Sequence, residues 1–330
     1  MSGKILVKDL GEPGLLARLQ QYCPPDIVGD DGAILPTHPD KSLVVTTDVL
    51  VDGVHFSDRT TTAFDVGWRA TAANLSDLAA MGATPLGITV GLSLPGNIPV
   101  NWVEEVYQGM TACLKKYHTF LVGGDICRSS VASLAITAFG EVMPQLAIRR
   151  STARPGDAIV VTGLHGLSRG GLELLLHPSM GERLTPTERR KLIEAHQQPQ
   201  PRLDLVPHLE KLAAQTAIAG MDSSDGLASA IEQICRCSGV GAVIDGLAIF
   251  SGLISLAGEN TAQEWVLYGG EDFELVLCLP PQQADYLVQE VGQNAVIIGK
   301  ITQHRAIKFI DRHNLLKNQT LNLNKGFQHF

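Results

Sequence analysis

Acidic residues recur in this chain at the places where its pattern predicts that strands stop. Asp30 and Asp31 precede Gly32, Asp48 closes the β-patterned run from Leu43, and Asp125 follows Gly123 and Gly124. Asp222 and Asp225 follow a run ending at Met221, and Glu271 and Asp272 follow Gly269 and Gly270. Asp77 stands inside an otherwise apolar helical segment. Carboxylates taken out of water without a partner cost several kcal/mol each. Nearby cations are few: Arg69 near Asp77, Arg128 near Asp125, and none between Met221 and Glu232. All-oxygen clusters suit hard ions, and Mg²⁺ in particular is held by a few carboxylates together with substrate phosphates. The expected ligand is therefore a metal-bound phosphate compound, with the separated acidic side chains converging around it. A second reading stays open for Asp30, Asp125 and Asp225, which also suit turns or helix N-caps. Asp77, with Ser76, also suits a solvated stripe.

Other chemistry is less well supported. The chain has no G-x-x-x-x-G-K-[ST] loop and no G-x-G-x-x-G after a strand, so the standard NTPase and dinucleotide readings lose their main support. It has no H-E-x-x-H, no Cys/His zinc spacing and no G-x-S-x-G elbow. The glycines from Gly163 to Gly171 suit either backbone approach to an anion at a helix start or a plain connection. His55, just past a strand, suits either a substrate phosphate or a structural role.

The elements that must position these residues belong to an ordinary globular chain of 330 residues, 45% hydrophobic and 18% charged, long enough for two domains. Its 26 basic and 34 acidic residues give a net charge of -8, and the longest basic cluster is Arg189-Arg190-Lys191. That is the opposite of a nucleic-acid binder's footprint. Six scattered cysteines read as reduced core residues. No secretory signal is visible, and the most apolar stretch, Ala70 to Pro95, contains Asn74, Asp77 and several Gly, a poor membrane span. A cytoplasmic protein is expected, with no membrane and no nucleic-acid partner.

In the first half, strands are predicted at Leu43–Val49, Leu86–Leu94, Phe120–Val122 and Val131–Val142, with helices at Ala63–Met81 and Trp102–Lys116. A polar, turn-rich segment from Arg149 to Asp157 separates two halves, 1–148 and 149–330. The second half reads as strands at Ala158–Thr162, Ala217–Met221, Phe273–Leu279, Val296–Ile301 and Ile307–Ile310. Its helices are expected at Leu172–Leu176, Glu188–Ala195, Leu203–Gln215, Asp225–Cys237 and Gln282–Val291. The class is α+β.

Taken in order, Gly29-Asp30-Asp31, Thr46-Thr47-Asp48 with Val54-His55-Phe56, the run Ala73 to Ala83, Gly123-Gly124-Asp125, Asp222-Ser223-Ser224-Asp225-Gly226 and Gly269 to Glu274 resemble the thiamine-monophosphate kinase family. That family lies in the aminoimidazole ribonucleotide synthetase-like superfamily, and the resemblance runs from Gly11-Glu12 to Lys325-Gly326-Phe327. It implies a two-domain, PurM-like α+β architecture. In it the N-terminal half binds ATP and metal and forms the sheet of a homodimer, and a C-terminal α/β domain closes over the nucleotide. It implies direct transfer of the γ-phosphoryl group of ATP to thiamine monophosphate, giving thiamine diphosphate.

By carry-over, Asp31, Thr46, Thr47, Asp48, Asp77, Asp125, Asp222 and Asp225 would hold several Mg²⁺ ions, with Asp30 a weaker candidate. Gly124, Asp125, Arg150, Ser224 and Tyr107 would meet ATP, and His55 and Glu271 would face thiamine monophosphate. Where some relatives place an aromatic before Lys-Gly, this chain has Asn324-Lys325-Gly326, leaving Phe327 as the nearest ring. Another ATP-using enzyme of the superfamily, or a non-catalytic MgATP-binding protein on this fold, is the alternative. Phosphoryl transfer asks mainly for positioning and charge neutralisation. A phosphate monoester with a second pKa of about 6 is mostly dianionic at neutral pH, so no general base is required.

Overall fold

The computed structural model describes residues 5–25, 27, 32–292, 295–310 and 318–320. The chain divides into two compact units, Met1–Leu78 with Thr84–Val142, and Ala79–Ala83 with Met143–Phe330.

The first unit contains α1 (Val7–Leu19), β1 (Ser42–Val51), α2 (Ala63–Ala80), β2 (Thr84–Leu94), α3 (Val100–Lys116), β3 (Leu121–Arg128) and β4 (Ser133–Val142). Its sheet has the order β1-β4-β2-β3, antiparallel except for the parallel β2–β3 pair. Alternation decides the two faces. Leu50, Leu134, Ile136, Ala138, Val90 and Leu92 are buried, while Leu43, Val45 and Val49 of β1 lie on the opposite face, each about half exposed. Helices α2 and α3 cross backbone to backbone. A Cβ on Gly67 would stand 1.9 Å from Val106 O, and one on Gly109 would stand 1.8 Å from Phe64 O, so only glycine permits the crossing.

Two local expectations need correction. The Gly123-Gly124-Asp125 segment does not stop a strand, because β3 runs through it to Arg128. Likewise β1 continues past Asp48 to Val51. Neighbour pairing in the sheet overrides the weak strand propensity of glycine.

The second unit contains β5 (Ala158–Val161), α4 (Leu167–Leu176), α5 (Pro186–Gln197), α6 (Val206–Ala213), β6 (Ala219–Asp222), α7 (Leu227–Ser238) and β7 (Gly241–Ile244). It continues with α8 (Ser251–Ala257), α9 (Glu259–Tyr268), β8 (Leu275–Leu279), α10 (Pro281–Val291), β9 (Val296–Thr302), β10 (Ile307–Ile310) and β11 (Asn318–Thr320). The sheet order is β11-β10-β7-β9-β5-β8-β6. Its core includes Leu227, Ile231, Ile234 and Cys235 of α7, the face that the sequence spacing marks. Helix α4 starts at Leu167 rather than Leu172 and takes in Gly170 and Gly171, because α5 passes so close that a Cβ on Gly171 would stand 2.1 Å from Leu192 O. Elements β7, α1, α8 and α9 carry too little periodic signal to be read from the sequence. Among the described residues no helix is long and apolar enough to cross a membrane, and all six cysteines are free thiols.

Candidate active site

Two acidic residues of the first unit, Asp48 on β1 and Asp77 on α2, lie on neighbouring elements. Asp77 is the one position not buried between Thr71 and Ala80, and its Oδ2 accepts a short hydrogen bond from Thr46 Oγ1. The solvated-stripe reading of Asp77 is thereby replaced by a contact to the strand. One turn earlier on α2, the buried Asn74 is tied at both ends. Its Nδ2 donates to Ala70 O (2.9 Å), and its Oδ1 accepts from the Asp48 amide (3.0 Å). Thr46, Asp48 and Asp77 thus share the helix-covered face of the edge strand, with Asn74 fixing the height of the Asp48 peptide. Asn74 is a positioning residue without a role in the sequence reading. Its only sequence signal is a lone amide in an apolar run.

Thr47 and Asp125 lie on the other face. Thr47 Oγ1 is 2.9 Å from Thr137 Oγ1, and the register Val49–Ala135–Gly91–Asp125 places Asp125 on that same open face at the opposite edge of the sheet. The expected convergence of Asp48, Asp77 and Asp125 therefore does not occur within this unit. The reason is parity: odd and even strand positions point to opposite faces, and β1 and β3 are the two edges. Gly124 faces the helical side, where a Cβ would stand 2.3 Å from Val90 O, so packing by itself requires a glycine there.

His55 closes the loop after β1, its Nδ1 accepting from the Val51 amide (3.1 Å), while its carbonyl accepts from Arg69 Nη2 (3.4 Å). Tyr107 is 4% exposed, with its ring 5.7 Å from that of Tyr22. Burial raises its phenol well above the ordinary range, and the side chain presents no surface to a nucleotide. Asp30, Asp31 and Phe327 lie outside the described residues.

In the second unit two acidic loops leave adjacent strand ends. Asp222 closes β6 opposite Leu275, which opens β8. The loops are laced together: Ser223 N donates to Glu274 O (2.9 Å) and Glu271 N to Ser224 O (2.7 Å). Ser224 Oγ lies 3.4 Å from Asp222 Oδ1. Asp222 is buried and Asp225 exposed. Asp225 is not an N-cap, because Gly226, at φ 99°, holds that position for α7. Arg150 is exposed, its Nη1 bonded to Gln233 Oε1 at 2.8 Å.

Behind the loops lies a network that the sequence reading leaves without roles. His165 is 2% exposed, with Nδ1 3.2 Å from Gly163 O and Nε2 3.0 Å from Ser223 Oγ. A neutral ring satisfies both contacts when Nδ1 donates and Nε2 accepts. Burial pushes its pKa down to about 4, against the pull of the Gly163 carbonyl. Glu274 Oε2 accepts from Thr162 Oγ1 (2.6 Å) and Arg202 Nη1 (2.7 Å). Asp272 accepts two backbone amides of α4. Burial pushes its carboxyl up to about 7, opposed by those amides.

Among the described residues no three His, Cys, Asp or Glu side chains form a metal cage by themselves. The donors are oxygens grouped in small sets, Thr46 with Asp48 and Asp77, and Asp222 with Ser224 and Asp225. This fits an ion that takes one or two carboxylates and completes its shell with phosphate and water.

Fold and donor set define a two-domain α+β protein of the AIR synthase class, PurM-like in architecture. The family model for AIR synthase related protein, N-terminal domain, matches residues 29–142, and that for the C-terminal domain matches residues 154–312. A thiamine-monophosphate kinase of Synechococcus elongatus is 51% identical over 332 residues, covering 98% of each chain. The crystal structure of thiamine-monophosphate kinase from Stenotrophomonas maltophilia superposes with a TM-score of 0.79 at 35% identity, covering 89% of this chain and 95% of that one. AaThiL complexed with AMPPCP and TMP gives a TM-score of 0.77 at 31% identity, covering 100% of both chains. This chain belongs to the thiamine-monophosphate kinase family.

Proposed function

We propose that the protein transfers the γ-phosphoryl group of ATP to thiamine monophosphate, forming thiamine diphosphate and ADP. The observation that carries this reading is the chain-long likeness to the kinase family; the oxygen donors on the β1–α2 face and on the laced loops after β6 and before β8 are of the type that phosphate chemistry uses. Thr46, Asp48 and Asp77, and Asp222 with Asp225, would hold Mg²⁺. Thr47 and Asp125 contribute from the open face, and Asp31 adds a donor from outside the described residues. Magnesium held there would supply neutralisation of phosphate charge during γ-phosphoryl transfer. Gly124, Asp125, Ser224 and Arg150 meet ATP, with the Arg150 guanidinium as the protein's own cation. His55 and Glu271 orient thiamine monophosphate, with Phe327 as the nearest ring. Its phosphate attacks as a dianion, so no side chain has to remove a proton.

The protein acts as a homodimer, in the cytoplasm where ATP is supplied, with residues 1–148 serving nucleotide, metal and dimer contacts and 149–330 forming the C-terminal domain. Support for the dimer comes from the open sheet face. Leu43, Val45 and Val49 are 53%, 53% and 48% exposed on one strand, an apolar row of the kind that marks an interface. A second copy there would close the face that carries Thr47 and Asp125.

The test is purified protein with MgATP and thiamine monophosphate, following ADP and thiamine diphosphate. One ADP per diphosphate is the expected result. Silence with thiamine monophosphate and turnover with another phosphate monoester would overturn the substrate. ATP binding without ADP release on any acceptor would overturn the enzyme.

A further inference from the structure

Glu271 occupies a turn that its own backbone resists. Glu271 and Phe273 have φ of 66° and 52°, a conformation unfavourable for a non-glycine residue that persists only where the surroundings enforce it. Phe273 is buried, while a cavity of about 390 Å³ borders the turn at Asp272 and Glu274, with Leu164, Leu167 and Lys191 among its other walls. Hydrogen bonds reinforce the turn on that side. Between the two strained residues, Asp272 Oδ2 accepts from Gly166 N (2.6 Å) and Oδ1 from Ser168 N (2.9 Å). Both amides belong to the start of α4, where charge-assisted bonds and the helix dipole favour a carboxylate. Downstream, Glu274 is held by Thr162 and Arg202, and upstream the Glu271 amide is held by Ser224 O.

We propose that Asp272 is a positioning residue for Glu271: its two-point grip on the first turn of α4 holds the left-handed backbone that presents the Glu271 carboxylate to the substrate. The proposal rests on the assignment of Glu271 to thiamine monophosphate. A helix cap alone would give Asp272 a part in stability and none in substrate affinity, and this difference is measurable.

The experiment is a double-mutant cycle on the full-length enzyme with Glu271→Gln and Asp272→Asn, which keeps the side-chain shape but only one carbonyl acceptor. Asp272→Asn is expected to raise KM for thiamine monophosphate about tenfold and to leave KM for ATP unchanged. In the Glu271→Gln background the same substitution is expected to change neither, since its effect passes through Glu271. Multiplicative single effects would overturn the proposal, as would an unchanged KM with a lowered melting temperature. Asp272→Ser, which keeps a hydroxyl acceptor, takes the same cycle if the amide variant does not fold. A wild-type enzyme that ignores thiamine monophosphate would overturn the proposed function, and this proposal with it. A wild type that turns over while the cycle is additive overturns this proposal alone.

Discussion

The peptide and the carboxylate of Asp48 have separate tasks. Asn74 holds the amide from α2, and under the proposed function the carboxylate supplies charge to the metal. Asp48→Asn is therefore expected to reduce turnover about a hundredfold at saturating Mg²⁺ with an unchanged melting temperature. Steady-state rates and thermal unfolding of the same preparation check both halves. His165 makes a pH-dependent contribution. Its folded pKa is pushed from 6.5 to about 4, so between these values the unfolded chain binds a proton that the folded chain does not. Stability is thus intact above pH 6.5 and is lost as pH falls towards 4, by about 3 kcal/mol. Asp272 titrates in the same window with the opposite sign in both proteins, so the readout is the stability difference between wild type and His165→Asn in denaturant unfolding, which is expected to shrink as pH falls from 6.5 towards 4.

Elements show why some of the site could be read from sequence and some could not. Asp48 and Asp77 are legible because carboxylates are conspicuous in apolar runs, whereas Thr46 enters only through the family resemblance, and its contact with Asp77 across strand and helix is seen only in the fold. The partnership of Asn74 with the Asp48 amide is not legible, since it links two elements through backbone chemistry that no side-chain pattern announces. Gly123 and Gly124 read as a strand end because glycine disfavours strands. In the fold, β2 passes so close that glycine is what lets β3 continue. This reversal matters for the site: an extended strand sends Asp125 to the face opposite Gly124, whereas a loop would leave its direction open. Gly124→Ala is expected to destabilise the protein by about 2 kcal/mol through the 2.3 Å approach to Val90 O. Because Gly124 is also proposed to meet ATP, KM for ATP is expected to rise beyond what the loss of folded protein explains, which rates normalised to circular dichroism melts would reveal.

For the whole molecule, the open face of the four-stranded sheet is the feature with the widest reach. An acidic chain of net charge -8 gains no long-range attraction to a second copy of itself, so association has to come from apolar area. Val45→Lys together with Val49→Lys is expected to convert the proposed dimer to monomer in sedimentation and to abolish turnover while each monomer stays folded. Undiminished activity in a monomeric variant would separate catalysis from assembly.

The bond from the Glu271 amide to the Ser224 carbonyl makes each of the two laced loops a gauge of the other's length. One residue inserted between Asp222 and Gly226 would displace its neighbour by up to about 3.8 Å, further than any such bond can stretch. Drift in loop length, which surface connections usually tolerate, is closed to this pair. Recombination between related sequences should succeed only where both loops are inherited from the same parent.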